Sequence, residues 1–186
     1  CPRPELTRGV NAAILAAPAP DTRSGSRIMT ITIREATPED LQTVVRFNAA
    51  MAEETEDKVL DERILAPGVR QDLADPGKGR YFLAEIEDAV VGQLMFTLEW
   101  SDWRDGWFWW IQSVYVDSSF RRRGVFAALY RHLEALASRE DDVCGLRLYV
   151  EGDNLAAQEV YAALGMDMTG YRVMEMPLAS GGSDDA

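Results

Sequence analysis

The sequence predicts a mixed α/β domain in which helices flank a central sheet, with the element order β-α-α-β-β-β-α-β-α-β over residues 29–178. Two patterns predict this class. Apolar and polar residues alternate in some segments, as in half-buried strands, and apolar residues recur every three or four positions in others, as in amphipathic helices. The 186 residues are 47% hydrophobic, which suits one domain with a buried core.

The first half of the domain supplies most of the predicted sheet. Residues 29–34 alternate as a half-buried strand. A helix then begins at Thr37-Pro38, because Thr is a favoured cap and the φ of Pro suits the first helical position. A second helix is predicted from about 61 to 73. The remaining segments of this half predict three strands, at residues 81–86, 90–98 and 107–116.

The second half alternates helices and strands. Apolar residues at helical spacing predict a helix over 125–138, and residues 146–150 predict a strand. A short helix follows over 154–164 and ends at Gly165, a residue type common just past a helix end. Residues 171–176 are predicted to close the domain as a strand.

The two ends of the chain differ from this domain in composition. Residues 1–28 contain four prolines and no lasting periodicity, and we expect a disordered N-terminal extension there. Residues 179–186 are expected to form a polar C-terminal tail. The net charge of −12 falls within residues 29–178, which hold 15 basic and 27 acidic residues.

Composition narrows the functional classes. The excess of acidic residues argues against binding to nucleic acid or to an anionic membrane surface, and no apolar run approaches the ~20 residues of a membrane-spanning helix. Cys1 and Cys144 do not form a disulfide framework, so a reducing, cytoplasmic compartment is expected. No metal is expected either.

Residues 114–126 combine a strand, a short loop and a helix start. Backbone N–H groups at a helix start bind anions, Gly124 permits close approach, and three arginines add positive charge. These residues therefore predict a phosphate site, although a solvated basic loop remains the alternative. The loop lacks the Lys and Ser/Thr of a nucleotide-triphosphate loop.

With the helix that follows, this loop resembles the GCN5-related N-acetyltransferase (GNAT) superfamily over about residues 30–177. The family's Arg-x-x-Gly-x-Gly/Ala and Asn-x-x-Ala…Tyr-x-x-x-Gly patterns correspond to Arg121, Gly124, Phe126, Asn154, Ala157, Tyr161 and Gly165. Two positions depart from the family pattern: Phe126 stands where a small residue is usual, and Ser118 where Pro is common.

The resemblance implies direct transfer of an acetyl group from acetyl-CoA to an amine, without a covalent enzyme intermediate. It implies that Tyr161 is the general acid for the departing thiolate, with packing of the short helix as the alternative role. It also implies a splayed strand that offers its backbone to the thioester carbonyl. The implied acetyl-CoA site comprises Val114, Tyr115, Val116, Arg121, Arg122, Arg123, Gly124, Val125, Phe126, Ala127, Asn154, Ala157 and Tyr161.

The acceptor amine must lose a proton, because an alkylammonium has a pKa of ~10.4. Glu99 is the first candidate base and Glu54 the second, and for each an ordinary surface acid is the alternative. A carboxylate-rich segment before the second helix favours a polyamine, an aminoglycoside-like amine or a basic peptide; it comprises Glu53, Glu54, Glu56, Asp57, Asp61 and Glu62.

All five tryptophans lie within residues 100–110. Alternation along a strand places Trp107 and Trp109 on one face and Phe108 and Trp110 on the other. One set is expected in the core, and the other either walls the acceptor pocket or forms a homodimer interface. We therefore expect an enzyme that acetylates a small cationic amine; a protein N-terminal or lysine acetyltransferase and a non-catalytic acyl-CoA sensor are the alternatives.

Overall fold

The computed structural model describes residues 30–176, and the predicted terminal extension and tail lie outside them. Five strands form one sheet in the order β1-β2-β3-β4-β5; the first four are antiparallel neighbours and β5 runs parallel to β4. The elements are β1 (Thr32–Glu35), α1 (Leu41–Glu56), α2 (Glu62–Ala74), β2 (Arg80–Ile86), β3 (Ala89–Ser101), β4 (Gly106–Val116), α3 (Val125–Ala137), β5 (Val143–Leu148) and α4 (Leu155–Ala163).

The predicted α/β class is confirmed, and the element order agrees with the prediction as far as α4. The closing strand predicted at residues 171–176 is absent from the described chain. Those residues form no ladder and are exposed, and Met174 is 96% accessible. Alternation predicts which faces a strand would present, but a strand also needs a neighbouring strand to pair with. Residues 171–176 pair with no strand of the described chain.

The two faces of the sheet pack against different helices. On one face, α3 buries Leu129 and Leu133 against Phe96 and Ile111 of the sheet. We call this the α3 face. On the other, the α1–α2 face, Val44 and Val69 pack against Leu83 and Met95. None of the helices within residues 30–176 is long and apolar enough to cross a membrane.

A buried carboxylate ties β1 to the start of α1. Asp40 accepts hydrogen bonds from the Arg34 guanidinium at 2.7 and 2.8 Å and from the Thr37 N–H at 2.8 Å. Because these donors favour its charged form, chiefly the Arg34 guanidinium, the pKa of Asp40 is lowered to about 2. The helix that packs on the α1–α2 face is thereby anchored to the first strand.

This anchor predicts a pH-dependent stability. The carboxyl pKa of Asp40 is lower in the folded chain than its unfolded value of ~3.9, so its contribution is present above about pH 4 and is lost as the pH falls through about 2. Asp40→Asn should lower the free energy of unfolding by about 1–2 kcal/mol at pH 6 and by much less near pH 2. Urea denaturation at both pH values measures this. Asp88→Asn, at an exposed hairpin position, is the matched control, and an equal loss at both pH values would contradict the assignment.

Candidate active site

Strands β4 and β5 separate partway along their length. Their pairing ends at Ile111 and Leu148, whereas β4 continues to Val116. In the same region β4 contains one residue more than β3, since Leu94 lies opposite Val114 while Phe96 lies opposite Ile111. This bulge and the end of pairing leave an opening between the two strands, which we call the fork.

The end of β4 directs peptide groups into the fork. The N–H of Asp117 donates to the carbonyl of Val91 on β3 at 2.9 Å. Successive peptide groups of a strand point to opposite sides, so the N–H and C=O groups of Val114 and Val116 point away from β3. The carbonyl of Val116 accepts from Nε of Arg121 at 2.9 Å on that side. The backbone of Val114 therefore faces the fork.

The loop after β4 turns sharply into α3. Arg122 has φ 60° and Gly124 has φ 84°, both in the left-handed region, where glycine is unstrained. Gly124 occupies the cap position of α3 and has no side chain with which to satisfy the first N–H groups of the helix. With the helix dipole behind them, these groups form a site suited to an anion such as a pyrophosphate.

The three arginines of this loop have different environments. The side chain of Arg121 packs against the domain, where it donates to the carbonyl of Val116 and pairs with Glu54 of α1. Arg123 lies over the ring of Phe120 at 5.3 Å, and Arg122 is exposed. Arg122 and Arg123 therefore remain on the outside of the loop, whereas Arg121 holds the loop to α1.

Phe126, which stands where a small residue is usual in the resembled family, points into the core. Its side chain is 4% exposed. The centroid of its ring lies 6.2 Å from that of Tyr130 and 6.0 Å from that of Tyr161. Its side chain thus leaves the outer surface of the first turn of α3 unobstructed, and its backbone N–H stays at the helix start. A large residue at this position is compatible with an anion at the loop.

Helix α4 carries the second predicted motif. The side-chain oxygen of Asn154 accepts from the N–H of Ala157 at 3.1 Å, which caps the helix. One turn later Tyr161 is 4% exposed, and its hydroxyl has no hydrogen-bonding partner among residues 30–176. Burial raises the pKa of Tyr161, so the phenol holds its proton throughout the physiological range.

The structure brings one of the two candidate bases to this site. Glu54 accepts a hydrogen bond from the hydroxyl of Tyr115 at 2.9 Å and pairs with Arg121. Burial, and then the bond to Glu54, raises the pKa of Tyr115 to about 12. Glu99 lies opposite Phe108, whereas Leu94 lies opposite Val114. The five residues of β3 from Leu94 to Glu99 span about 16 Å. Glu99 is therefore not brought to the loop before α3 or to the end of β4.

The sequence analysis did not identify Arg147, which lies on β5 one residue before the fork. Its guanidinium donates to Glu99 at 2.6 Å and lies 3.6 Å from the ring centroid of Phe108. A signal was present, because Arg147 is the one charged residue within the predicted strand 146–150. No cluster of three or more His, Cys, Asp or Glu side chains within residues 30–176 is placed to hold a metal ion.

The site therefore combines two parallel strands that separate at the fork with an uncapped helix start directly after β4. The sequence matches the family described as "Acetyltransferase (GNAT) family" over residues 42–166. The chain therefore belongs to the GNAT acetyltransferase family. No curated protein sequence matches the chain.

Solved structures agree with this assignment. The crystal structure of "a possible acetyltransferase from Clostridium difficile 630" is 44% identical with a TM-score of 0.76, covering 80% of this chain and 98% of that one. A "predicted acetyltransferase with acetyl-CoA from Clostridium acetobutylicum" is 16% identical with a TM-score of 0.65, covering 79% and 96%. An aminoglycoside acetyltransferase from an uncultured soil metagenomic sample, in complex with sisomicin, is 16% identical with a TM-score of 0.59, covering 80% and 95%. The last two share the fold.

The different arginine environments predict different effects on stability. Arg121→Met removes the partner of Glu54 and the donor to the Val116 carbonyl, and should lower the free energy of unfolding by about 1–3 kcal/mol. Arg122→Met, its matched control in an exposed position, should change it by less than about 0.5 kcal/mol. Urea denaturation measures both variants. Equal losses would show that the contacts of Arg121 do not hold the loop.

Proposed function

We propose that this chain transfers an acetyl group from acetyl-CoA directly to the amine of a small cationic molecule. One observation carries the proposal: the buried hydroxyl of Tyr161, which has no hydrogen-bonding partner in the described part of the chain, lies beside the start of α3. Membership of the GNAT family supports acetyl transfer. The amine acceptor and the roles of individual residues are our proposals.

The residues at the fork fit an acyl-CoA. The first N–H groups of α3, from Gly124 to Ala127, would hold its pyrophosphate, with Arg122 and Arg123 on the outer side of the loop. When bound, acetyl-CoA supplies an activated acetyl group on a thioester. The N–H of Val114 faces the fork and would donate to the carbonyl oxygen, where negative charge develops during transfer. Tyr115 and Val116 continue this strand toward the loop.

Tyr161 is suited to the role of general acid. A departing thiolate gains a proton from a positioned donor, and the phenol keeps its proton because burial raises its pKa. Asn154 and Ala157 contribute through the cap that begins α4 and so positions Tyr161 about two turns after the cap. Phe126 supports the same ring from α3.

The amine must reach the fork without its proton. Of the two candidate bases, Glu54 is the one that contacts this end of β4, through Tyr115 and Arg121. We assign it the role of base or of anchor for the incoming ammonium. Glu99 is too far along the sheet to act on an amine at Val114. We therefore assign it no part in proton removal.

The carboxylate-rich segment before α2, here called the acidic rim, begins in the same turn of α1 as Glu54. It runs from the last turn of α1 to the start of α2, and most of its carboxylates are exposed, among them Glu53, Asp57 and Glu62. Opposite charge at the rim raises the local concentration of a cationic acceptor. This supports an amine that carries its positive charge when it arrives.

We also propose that the chain acts in the cytoplasm as a one-domain enzyme over residues 29–178, with 1–28 outside that domain. The side chain of Cys144 is a free thiol, which suits a reducing compartment.

Tyr161→Phe tests the general acid. The substitution keeps the ring that packs on Phe126 and removes a buried hydroxyl that no group of residues 30–176 bonds. It should lower kcat by about 100-fold or more, leave the Kd for acetyl-CoA within about twofold, and leave the free energy of unfolding unchanged or raised. Thiol release with a panel of amines, calorimetric titration and urea denaturation measure the three quantities.

A packing role for Tyr161 gives a different result, namely full kcat in Tyr161→Phe. If acetyl-CoA binds to the wild-type chain and no amine in the panel releases thiol, the chain is an acyl-CoA sensor and the proposed activity is wrong.

The acidic rim predicts a change in KM. Glu53→Gln with Asp57→Asn removes two exposed charges that lie outside the Glu54–Arg121 pair. The KM for a polyamine such as spermidine should rise several-fold at low salt, with little change in kcat, and the difference should shrink as salt screens the charges. Glu87→Gln with Asp88→Asn, on the exposed hairpin between β2 and β3, is the matched control. Equal effects of the two pairs would overturn the role of the rim.

A further inference from the structure

A group of polar and aromatic side chains lies at the base of the fork on the α1–α2 face. Trp110 lies opposite Thr97 on β3 and opposite Arg147 on β5. Thr97 is two residues from Met95, which packs under α1 and α2, so Trp110 and Arg147 share that face. The group, here called the fork cluster, consists of Glu99, Phe108, Trp110, Arg147 and Tyr149.

Arg147 is held rigidly yet remains accessible. Its guanidinium lies on the ring of Phe108 and donates from Nη1 to Glu99 at 2.6 Å, while 32% of its side chain is exposed. A guanidinium carries five N–H donors in a fixed plane. Among residues 30–176, Arg147 hydrogen-bonds only to Glu99, which leaves its other N–H donors available in the fixed plane with which arginine recognises a carboxylate.

Trp110 adds a second donor. Its indole N–H is buried and has no acceptor among residues 30–176, and a buried donor without a partner is energetically unfavourable. The ring of Tyr149, which follows the last residue of β5 and is 41% exposed, lies 4.7 Å from that of Trp110. Movement of this half-exposed ring would uncover the indole, so the site offers both a charged and a neutral donor.

The charge of Glu99 is offset at the edge of the fork. Glu99 pairs with the guanidinium of Arg147. Glu99 lies opposite Phe108, which is two residues farther from the fork along β4 than Trp110, the residue opposite Arg147. Arg147 therefore stands between Glu99 and the fork and screens its charge, so the cluster presents a guanidinium toward the fork in a chain with a net charge of −12.

The fork cluster lies within reach of the transfer site on the same face. Tyr115, which binds Glu54, lies opposite Gln93, four residues along β3 from the partner of Trp110. Four residues of strand span about 13 Å. A molecule whose amine is near Val114 and whose other end is at Arg147 would therefore have several bonds between its two ends.

We propose that the fork cluster binds the carboxylate of the acceptor through Arg147 and Trp110, and that the acceptor is an aliphatic amine with a carboxylate several bonds from the nitrogen. The inference rests on the proposed function for the identity of the reacting amine. The ammonium end is drawn by the acidic rim and the carboxylate end by the fork cluster, so the two sites together orient the molecule.

The test compares two acceptors that differ in one group, 6-aminohexanoate and hexylamine. Thiol release from acetyl-CoA gives kcat/KM for each, and the wild-type chain should prefer 6-aminohexanoate by at least tenfold. Arg147→Gln should reduce kcat/KM for 6-aminohexanoate at least tenfold more than for hexylamine. Calorimetric titration of 6-aminohexanoate into the chain saturated with CoA should show the same dependence on Arg147.

Two variants control for indirect effects. Arg104→Gln removes the other guanidinium over Phe108 without changing Arg147, and it should keep the preference for 6-aminohexanoate. Arg147→Gln with Glu99→Gln avoids leaving Glu99 as an unpaired carboxylate, and it should show the same loss of preference as Arg147→Gln.

The outcomes separate the subsite from the reaction. Acetylation of both amines without preference, or with equal losses in Arg147→Gln, overturns the subsite and leaves the activity. Binding of 6-aminohexanoate that depends on Arg147, without thiol release from any amine, supports the subsite and overturns the activity. Absence of both binding and turnover of 6-aminohexanoate overturns the subsite.

Discussion

The separation of β4 from β5 is the constraint on which the rest of the site depends. Parallel pairing stops at Ile111 and Leu148, and a bulge shifts the next residues of β4 by one position relative to β3. Peptide groups that would otherwise be used within a sheet then face an opening. The fixed alternation of a strand decides which of them face it, and so links the backbone at Val114 with side chains on a known face. A fully paired β5 would satisfy these groups and leave nothing for a ligand.

Much of this fold could be predicted from the sequence, because helix periodicity and strand alternation record which face of each element is buried. The closing strand at 171–176 could not, since alternation does not say whether a partner edge lies nearby. For the candidate site, the loop around Gly124 and the position of Tyr161 followed from motifs. The pairing of Arg121 with Glu54 joins residues 67 positions apart, and the choice between Glu54 and Glu99 depends on register across the sheet. Neither is encoded in local spacing.

Acidic and basic side chains lie in separate parts of this structure. The acidic segment that leads from α1 to α2 includes Glu54, in the last turn of α1, which is bonded to Tyr115 of β4 and to Arg121 of the loop before α3. The arginines of the loop and of β5 stand against this background as separate positive sites. A small molecule with charge at both ends could be oriented by such a pattern before any close contact forms, because electrostatic attraction acts over about a Debye length.

The ring contact between Phe126 and Tyr161 has a consequence for how the site tolerates change. It joins the first turn of α3, where an acyl-CoA would rest, to the middle of α4, which carries the hydroxyl. A glycine or alanine at 126 would leave a void beside the phenol and free it to change rotamer. The size of the residue at 126 and the orientation of the Tyr161 ring are therefore coupled through packing in this chain.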